Sequence, residues 1–193
     1  MRVIRLTILA SLLASTAAFA APAPAVSFLA SVAPGVALSS GMGSGTAPGA
    51  AVSAELGARI GGDRLAAMIR AGVVKQAASA YTDVWTRYRG FSGLSLAAGP
   101  NLRLGLFEFG VLAGGALARY DLSYSYFAFP YIEPGASYRA AHLDDRFSLG
   151  IGLSLPVYLR ADALSLGFRA VVELRYESPR QERPSTPSAE SAP

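Results

Sequence analysis

The chain contains no cysteine. That excludes a disulfide framework, a thiolate metal site and the cysteine of a lipid-attachment signal. A single histidine, His142, excludes any site built on several imidazoles. Lysine is nearly absent too, with Lys75 the only one. Charged residues make up 16% of the sequence, where about 25% is usual for a soluble domain. Hydrophobic residues reach 52%, yet no segment beyond Ala20 has the ~20 unbroken apolar residues of a spanning helix. High apolarity without such a helix points to strands facing lipid. The formal charge is +4, and Arg2 and Arg5 account for two of those charges. This is not a nucleic-acid footprint.

What the chain does have is alternation. Phe147, Leu149, Ile151, Leu153, Leu155, Val157 and Leu159 occupy every second position. Ser148, Gly150, Gly152, Ser154, Pro156, Tyr158 and Arg160 fill the positions between. After a break at 161–163 the pattern resumes, with Leu164, Leu166, Phe168, Ala170, Val172, Leu174 and Tyr176 set against Ser165, Gly167, Arg169, Val171, Glu173 and Arg175. Successive side chains of a strand point to opposite faces, so each segment is a strand with one greasy face and one small or charged face. Glycine and serine make a poor solvent face but suit the crowded inside of a narrow barrel, while large aliphatics suit lipid.

In chain order, Met1–Ala20 reads as a signal peptide: Arg2 and Arg5, an apolar core, then Ala18-Phe19-Ala20 with cleavage between Ala20 and Ala21. Strands are expected over 26–39, 50–61, 64–76 and 88–104, and from Leu106 onward. Pro34 in the first of these calls for a bulge or a turn. Residues 40–49 read as a flexible loop. Gly41, Gly43 and Gly45 in it lack the lysine and the following helix of a phosphate cradle. Segment 64–76 also fits a helical stripe, but its strand-like neighbours favour a strand. Gly61-Gly62-Asp63 is a tight turn, and a second reversal is expected near Gly105 rather than at Gly99-Pro100-Asn101. Tyr81, Trp85 and Tyr88, beside Arg87 and Arg89, suit a membrane–water boundary. The tyrosine-rich stretch from Arg119 to Arg146 is expected to be the longest connection, a hairpin rising beyond the bilayer whose first part, Asp121 to Phe129, still reads as strand. Residues 178–193 read as a disordered Pro/Ser-rich tail.

These features together resemble the small outer-membrane β-barrel proteins of Gram-negative bacteria (the OmpX/OmpA transmembrane-domain type). Ser165-Leu166-Gly167, followed by Val172, Leu174 and Tyr176, resembles the closing-strand signal that the outer-membrane assembly machinery reads. The resemblance implies an all-β, antiparallel up-and-down transmembrane β-barrel of eight strands over residues 21–177. It implies location in the outer membrane, with outer-membrane lipid, lipopolysaccharide and the assembly machinery as partners. Seven strands are clear. The eighth would come from splitting the first strand at Pro34, from 81–89, or from the tyrosine-rich hairpin.

Chemistry is sparse. Glu55, Arg59, Arg70, Arg103, Glu108, Arg169, Glu173 and Arg175 fall on inward faces. Buried charges are costly unless paired, so a Glu–Arg network filling the lumen is expected. A selective pore is the sharper alternative, but eight strands leave little more than room for side chains. His142, Asp144 and Asp145 could hold one cation weakly, although acidic loop residues are more often simply solvated. An enzyme acting on lipid A or acyl chains through a Ser–His–acid set would have to use His142, and no serine lies within three residues of it. A soluble periplasmic barrel with an apolar cavity for a lipid-like ligand would need the greasy faces turned inward. The aromatic loop 120–138 is either an outer girdle or a grip for a surface partner. The expectation is a non-enzymatic integral outer-membrane barrel with a structural or surface-binding role. No catalytic, metal or cofactor-binding residue and no nucleic-acid partner is assigned.

Overall fold

The computed structural model describes residues 25–41, 46–77, 90–120, 125–160 and 163–178. Alternation at period two dictates strands, and strands are what form: β1 (Ala25–Gly41), β2 (Thr46–Gly61), β3 (Leu65–Gln76), β4 (Phe91–Leu104), β5 (Phe107–Tyr120), β6 (Tyr126–His142), β7 (Phe147–Ser154), β8 (Val157–Leu159) and β9 (Ala163–Glu177). Each pairs antiparallel with its neighbour, and β9 returns to pair with β1, closing the sheet. Strands β7 and β8 are two pieces of one crossing, since both are bonded to β6 and to β9. The barrel therefore has eight crossings and no free edge, which removes the unpaired backbone groups that lipid would penalise.

Three corrections concern prolines and loops. Pro34 makes neither a bulge nor a turn. It sits opposite Val52 in an unbroken β1–β2 register, and the β1–β9 ladder skips Ala33 and Pro34 and resumes in step at Gly35 opposite Arg169. The missing amide thus falls where the ladder has no bond to lose. The loop expected over 40–49 is shorter, because β2 begins at Thr46, opposite Ser40. Gly43 and Gly45 lie outside the described residues. The third correction is the largest. Of the three sources expected for the eighth strand, the tyrosine-rich hairpin is the one that supplies it, as β6, so most of 120–138 is sheet, not an aromatic loop, and 119–146 is not the longest connection. Tyrosine and phenylalanine favour strands. Pro130 and Pro134 are tolerated because they flank the short β6–β8 pairing, where the crossing is already broken at Pro156. The wall still holds there: the Leu155 amide donates to the Pro134 carbonyl (2.9 Å) and the Gly167 amide to the Pro156 carbonyl (2.7 Å).

Segment 65–76 is a strand, bonded on both sides to β2 and β4. Reversals occur after Gly61 and at Gly105–Leu106, where φ of +148° and +63° suits glycine. The connections 62–64, 105–106 and 143–146 share one end of the barrel, called here the short-turn end. Residues 77–90 belong to the opposite, long-loop end. The segments 1–24, 78–89 and 179–193, assigned from sequence to a leader, a boundary aromatic cluster and a tail, lie outside the described residues.

The faces settle which medium surrounds the barrel. Leu56, Leu94 and Leu96 are 70%, 60% and 60% exposed, whereas Arg169 and Glu173 are 1% and 2% exposed. A protein folded in water shows the reverse. Large aliphatics form the outer belt and charges the core, which excludes the soluble barrel with greasy faces turned inward.

Candidate functional site: the filled lumen

Small inward residues make room for long charged ones. A Cβ on Gly150 would stand 2.8 Å from Glu173 Cγ, and one on Gly72 would stand 2.8 Å from Glu55 Cγ. The glycine and serine face is thus the space into which carboxylates and guanidinium groups from other strands fold.

All eight sequence-assigned charges meet in the lumen. At mid-height Arg169 lies between Glu133 (2.8 Å) and Glu55 (3.4 Å). Arg70 bridges Glu55 (3.6 Å) and Glu173 (3.5 Å). Arg175 joins Glu173 (2.7 Å) to Glu108. Toward the short-turn end, Arg103 contacts Glu108 (2.7 Å) and Glu177 (3.2 Å), and Arg139 contacts Glu177 (2.7 Å). Arg59 gives its donors to Asn101 Oδ1 (2.9 Å) and to the turn carbonyls of Gly62 (3.0 Å) and Asp63 (3.1 Å). Glu133, Arg139 and Glu177 were missed. The first two sit in the stretch assigned to a loop, although Tyr131, Glu133, Gly135, Ser137 and Arg139 already alternate with Ile132, Pro134, Ala136 and Tyr138.

Above this network, toward the long-loop end, the filling becomes aromatic. Phe91 is fully buried and meets Phe129 and Tyr158 edge to face, with centroids 5.3 and 5.2 Å away. Tyr131 packs on Tyr158 (5.2 Å), and the Arg160 guanidinium lies over the Tyr120 ring at 4.6 Å. Gln76 Nε2 donates to Ser39 (2.7 Å) and Ser165 (2.6 Å), tying β3 to β1 and β9. Between the ion pairs lies a cavity of about 30 Å³ lined by Arg70, Asn101, Glu108, Glu133 and Glu173 among others. That is room for one or two waters. The arrangement performs packing and charge neutralisation.

His142 ends β6 at the short-turn end and is exposed. The register sets it opposite Ser148, the serine that sequence distance hid, but no hydrogen bond joins the two side chains. Asp144 and Asp145 are exposed in the neighbouring turn. Asp144 Oδ1 accepts the amides of Arg146 and Phe147, each at 2.7 Å. Those two bonds hold its carboxyl below the usual carboxylate range. Asp144 is thereby a turn residue. Among the described residues no group of three or more His, Asp or Glu side chains is placed to hold a metal.

Outside the barrel, Phe107 packs on Tyr138 and Phe147 on Tyr176, each at 5.1 Å. These rings girdle the short-turn end. Tyr126 and Phe127 stand exposed at the other end, with Phe127 on Tyr120 at 4.8 Å.

No family model matches the chain, and no curated protein matches it in sequence. Solved structures do match in shape. Ail, the attachment invasion locus protein of Yersinia pestis, aligns at a TM-score of 0.51 and 14% identity, covering 79% of this chain and 99% of Ail. Neisserial surface protein A aligns at 0.48 and 16%, covering 76% and 96%. The outer membrane protein AlkL aligns at 0.42 and 14%, covering 83% and 92%. The likeness to Ail shows a shared fold: this chain is a small barrel of the outer-membrane type.

Proposed function

We propose that the protein is an integral outer-membrane β-barrel, non-enzymatic and non-conducting, with a structural or surface-binding role at its long-loop end. One observation carries this reading: a closed belt of exposed aliphatics surrounds a lumen filled with paired charges and packed rings. A hydrocarbon surround suits the belt, and the filling suits a wall that stays shut. Exposed Tyr126 and Phe127 at the long-loop end support a binding role there, since rings of this kind make large rigid contacts at low entropic cost.

The test is to express the chain with its leader, fractionate the cells and run the outer-membrane fraction on a gel with and without boiling. The expected result is an outer-membrane band whose mobility shifts on boiling, together with no discrete conductance steps from the purified protein in planar bilayers. A soluble band without a shift contradicts the membrane reading. Regular conductance steps contradict the filled lumen.

A further inference from the structure

Among the described residues, the outward faces of the strands carry two cationic side chains and no carboxylate. The cations are Lys75 of β3 and Arg119 of β5, and both are exposed. They lie far apart in sequence, yet the register brings them level: Ser92 of β4 pairs with Lys75 on one side and with Arg119 on the other. Two strand spacings separate them, about 10 Å between backbones. One step further down the outer face lies a purely aliphatic row, Val73, Leu94 and Leu117, paired across the same three strands and 54%, 60% and 50% exposed. Neither cation has an ion-pair partner among the described residues.

A cationic row above an aliphatic row, at one rim of a lipid-facing wall, matches a lipid with anionic groups at its head and chains below. Long basic side chains reach out of hydrocarbon toward the headgroup level. Lysine presents a point charge and arginine a bidentate fork, and both donate hydrogen bonds to phosphate oxygens. The rim is at the end with the long connection 77–90, which in barrels of this architecture faces outward from the cell. Tyr126, opposite Arg119 on β6, adds an exposed ring at the same level.

We propose that Lys75 and Arg119 form a binding site for the phosphates of an outer-leaflet phosphorylated glycolipid, with its acyl chains lying along Val73, Leu94 and Leu117. The two-cation spacing favours a headgroup bearing two phosphates over one bearing a single phosphate. The site rests on the membrane-barrel reading above, and the test separates the two claims.

The full chain, purified from membranes in detergent, is incubated with bisphosphorylated lipid A, monophosphorylated lipid A or phosphatidylcholine. Retained lipid is counted by native mass spectrometry, and barrel integrity is followed by the mobility shift on boiling. The wild type is expected to retain bisphosphorylated lipid A most strongly and phosphatidylcholine least. Lys75→Gln/Arg119→Gln is expected to lower retention of bisphosphorylated lipid A at least ten-fold with the shift intact. Arg64→Gln/Arg146→Gln removes two exposed arginines at the opposite end and is expected to change nothing. Retention by Lys75→Gln/Arg119→Gln equal to wild type overturns the site. So does an equal loss in the Arg64→Gln/Arg146→Gln variant, which would reduce the effect to general charge. Equal retention of the two lipid A forms overturns the two-phosphate assignment. A wild type lacking the boiling shift overturns the barrel reading instead.

Discussion

The two halves of the lumen fill the same wall in different ways. Toward the short-turn end, Arg103, Glu108, Arg139, Arg175 and Glu177 lock together through charge. Toward the long-loop end, Phe91, Phe129, Tyr131 and Tyr158 fill the space by shape. Most ion pairs of the lumen join different strands, and Arg169 reaches Glu55 across 114 positions. The aromatic half needs only neighbours of about the right volume. The difference teaches that charge sets strict requirements on barrel registration, whereas ring packing tolerates substitution.

The sharpest way to break this contrast is Arg169→Met. It strands Glu133 in a low-dielectric interior, leaves Glu55 with Arg70 alone, and is expected to cost about 3–5 kcal/mol, read as the urea unfolding midpoint of the barrel in lipid vesicles. Adding Glu133→Leu is expected to recover most of that loss, because the uncompensated charge is gone. If the double variant stays as unstable as the single, pairing is not what the arginine supplies. Gly150→Val comes next. Its Cβ alone would stand 2.8–3.3 Å from Glu173 side-chain atoms, displacing that carboxylate from Arg175 and Arg70, for about 2 kcal/mol in the same assay. Phe91→Leu, in the aromatic half, is expected to cost only about 1 kcal/mol. A Phe91→Leu loss as large as that of Arg169→Met would erase the distinction between the halves.

The smallest effect lies outside the lumen. Asp144 is held below its ordinary range by two backbone amides, so its folded-state value is depressed. Its contribution to stability is therefore complete at neutral pH and is lost as pH falls through that lowered value. The unfolding midpoints of wild type and Asp144→Ala are expected to differ slightly at pH 7 and to converge in acid. A gap that persists at low pH would show that the amide bonds do not depend on the carboxylate.

Much of the wall was legible in the chain. The alternation from Phe147 to Tyr176 gave the outward and inward faces residue by residue, because period two leaves no other assignment for a strand. Gly105 marked the β4–β5 reversal through its backbone conformation. The eighth strand was less plain. Tyr126, Phe127, Phe129 and Tyr131 put rings on both faces of β6, and Pro130 and Pro134 imitate a loop. Sequence could place Arg169 and Glu55 inside but could not pair them, since pairing depends on how the sheet closes. Glu133 was lost with the strand that carries it. The level of Lys75 with Arg119 is likewise a matter of register, which no spacing along the chain reveals.

The absence of cysteine makes one measurement unusually clean. Single variants Leu94→Cys, Ser95→Cys, Leu96→Cys and Ala97→Cys place a spin label at four successive positions of β4, refolded in lipid vesicles. Collisions with oxygen, which concentrates in hydrocarbon, and with a water-soluble paramagnetic metal chelate then report the medium at each one. The expected result is a period of two, with labels at 94 and 96 reached by oxygen but not by the chelate, and labels at 95 and 97 shielded from both. Labels at 94 and 96 that collide freely with the chelate would contradict the lipid-facing belt, and labels at 95 and 97 that do so would contradict the filled lumen.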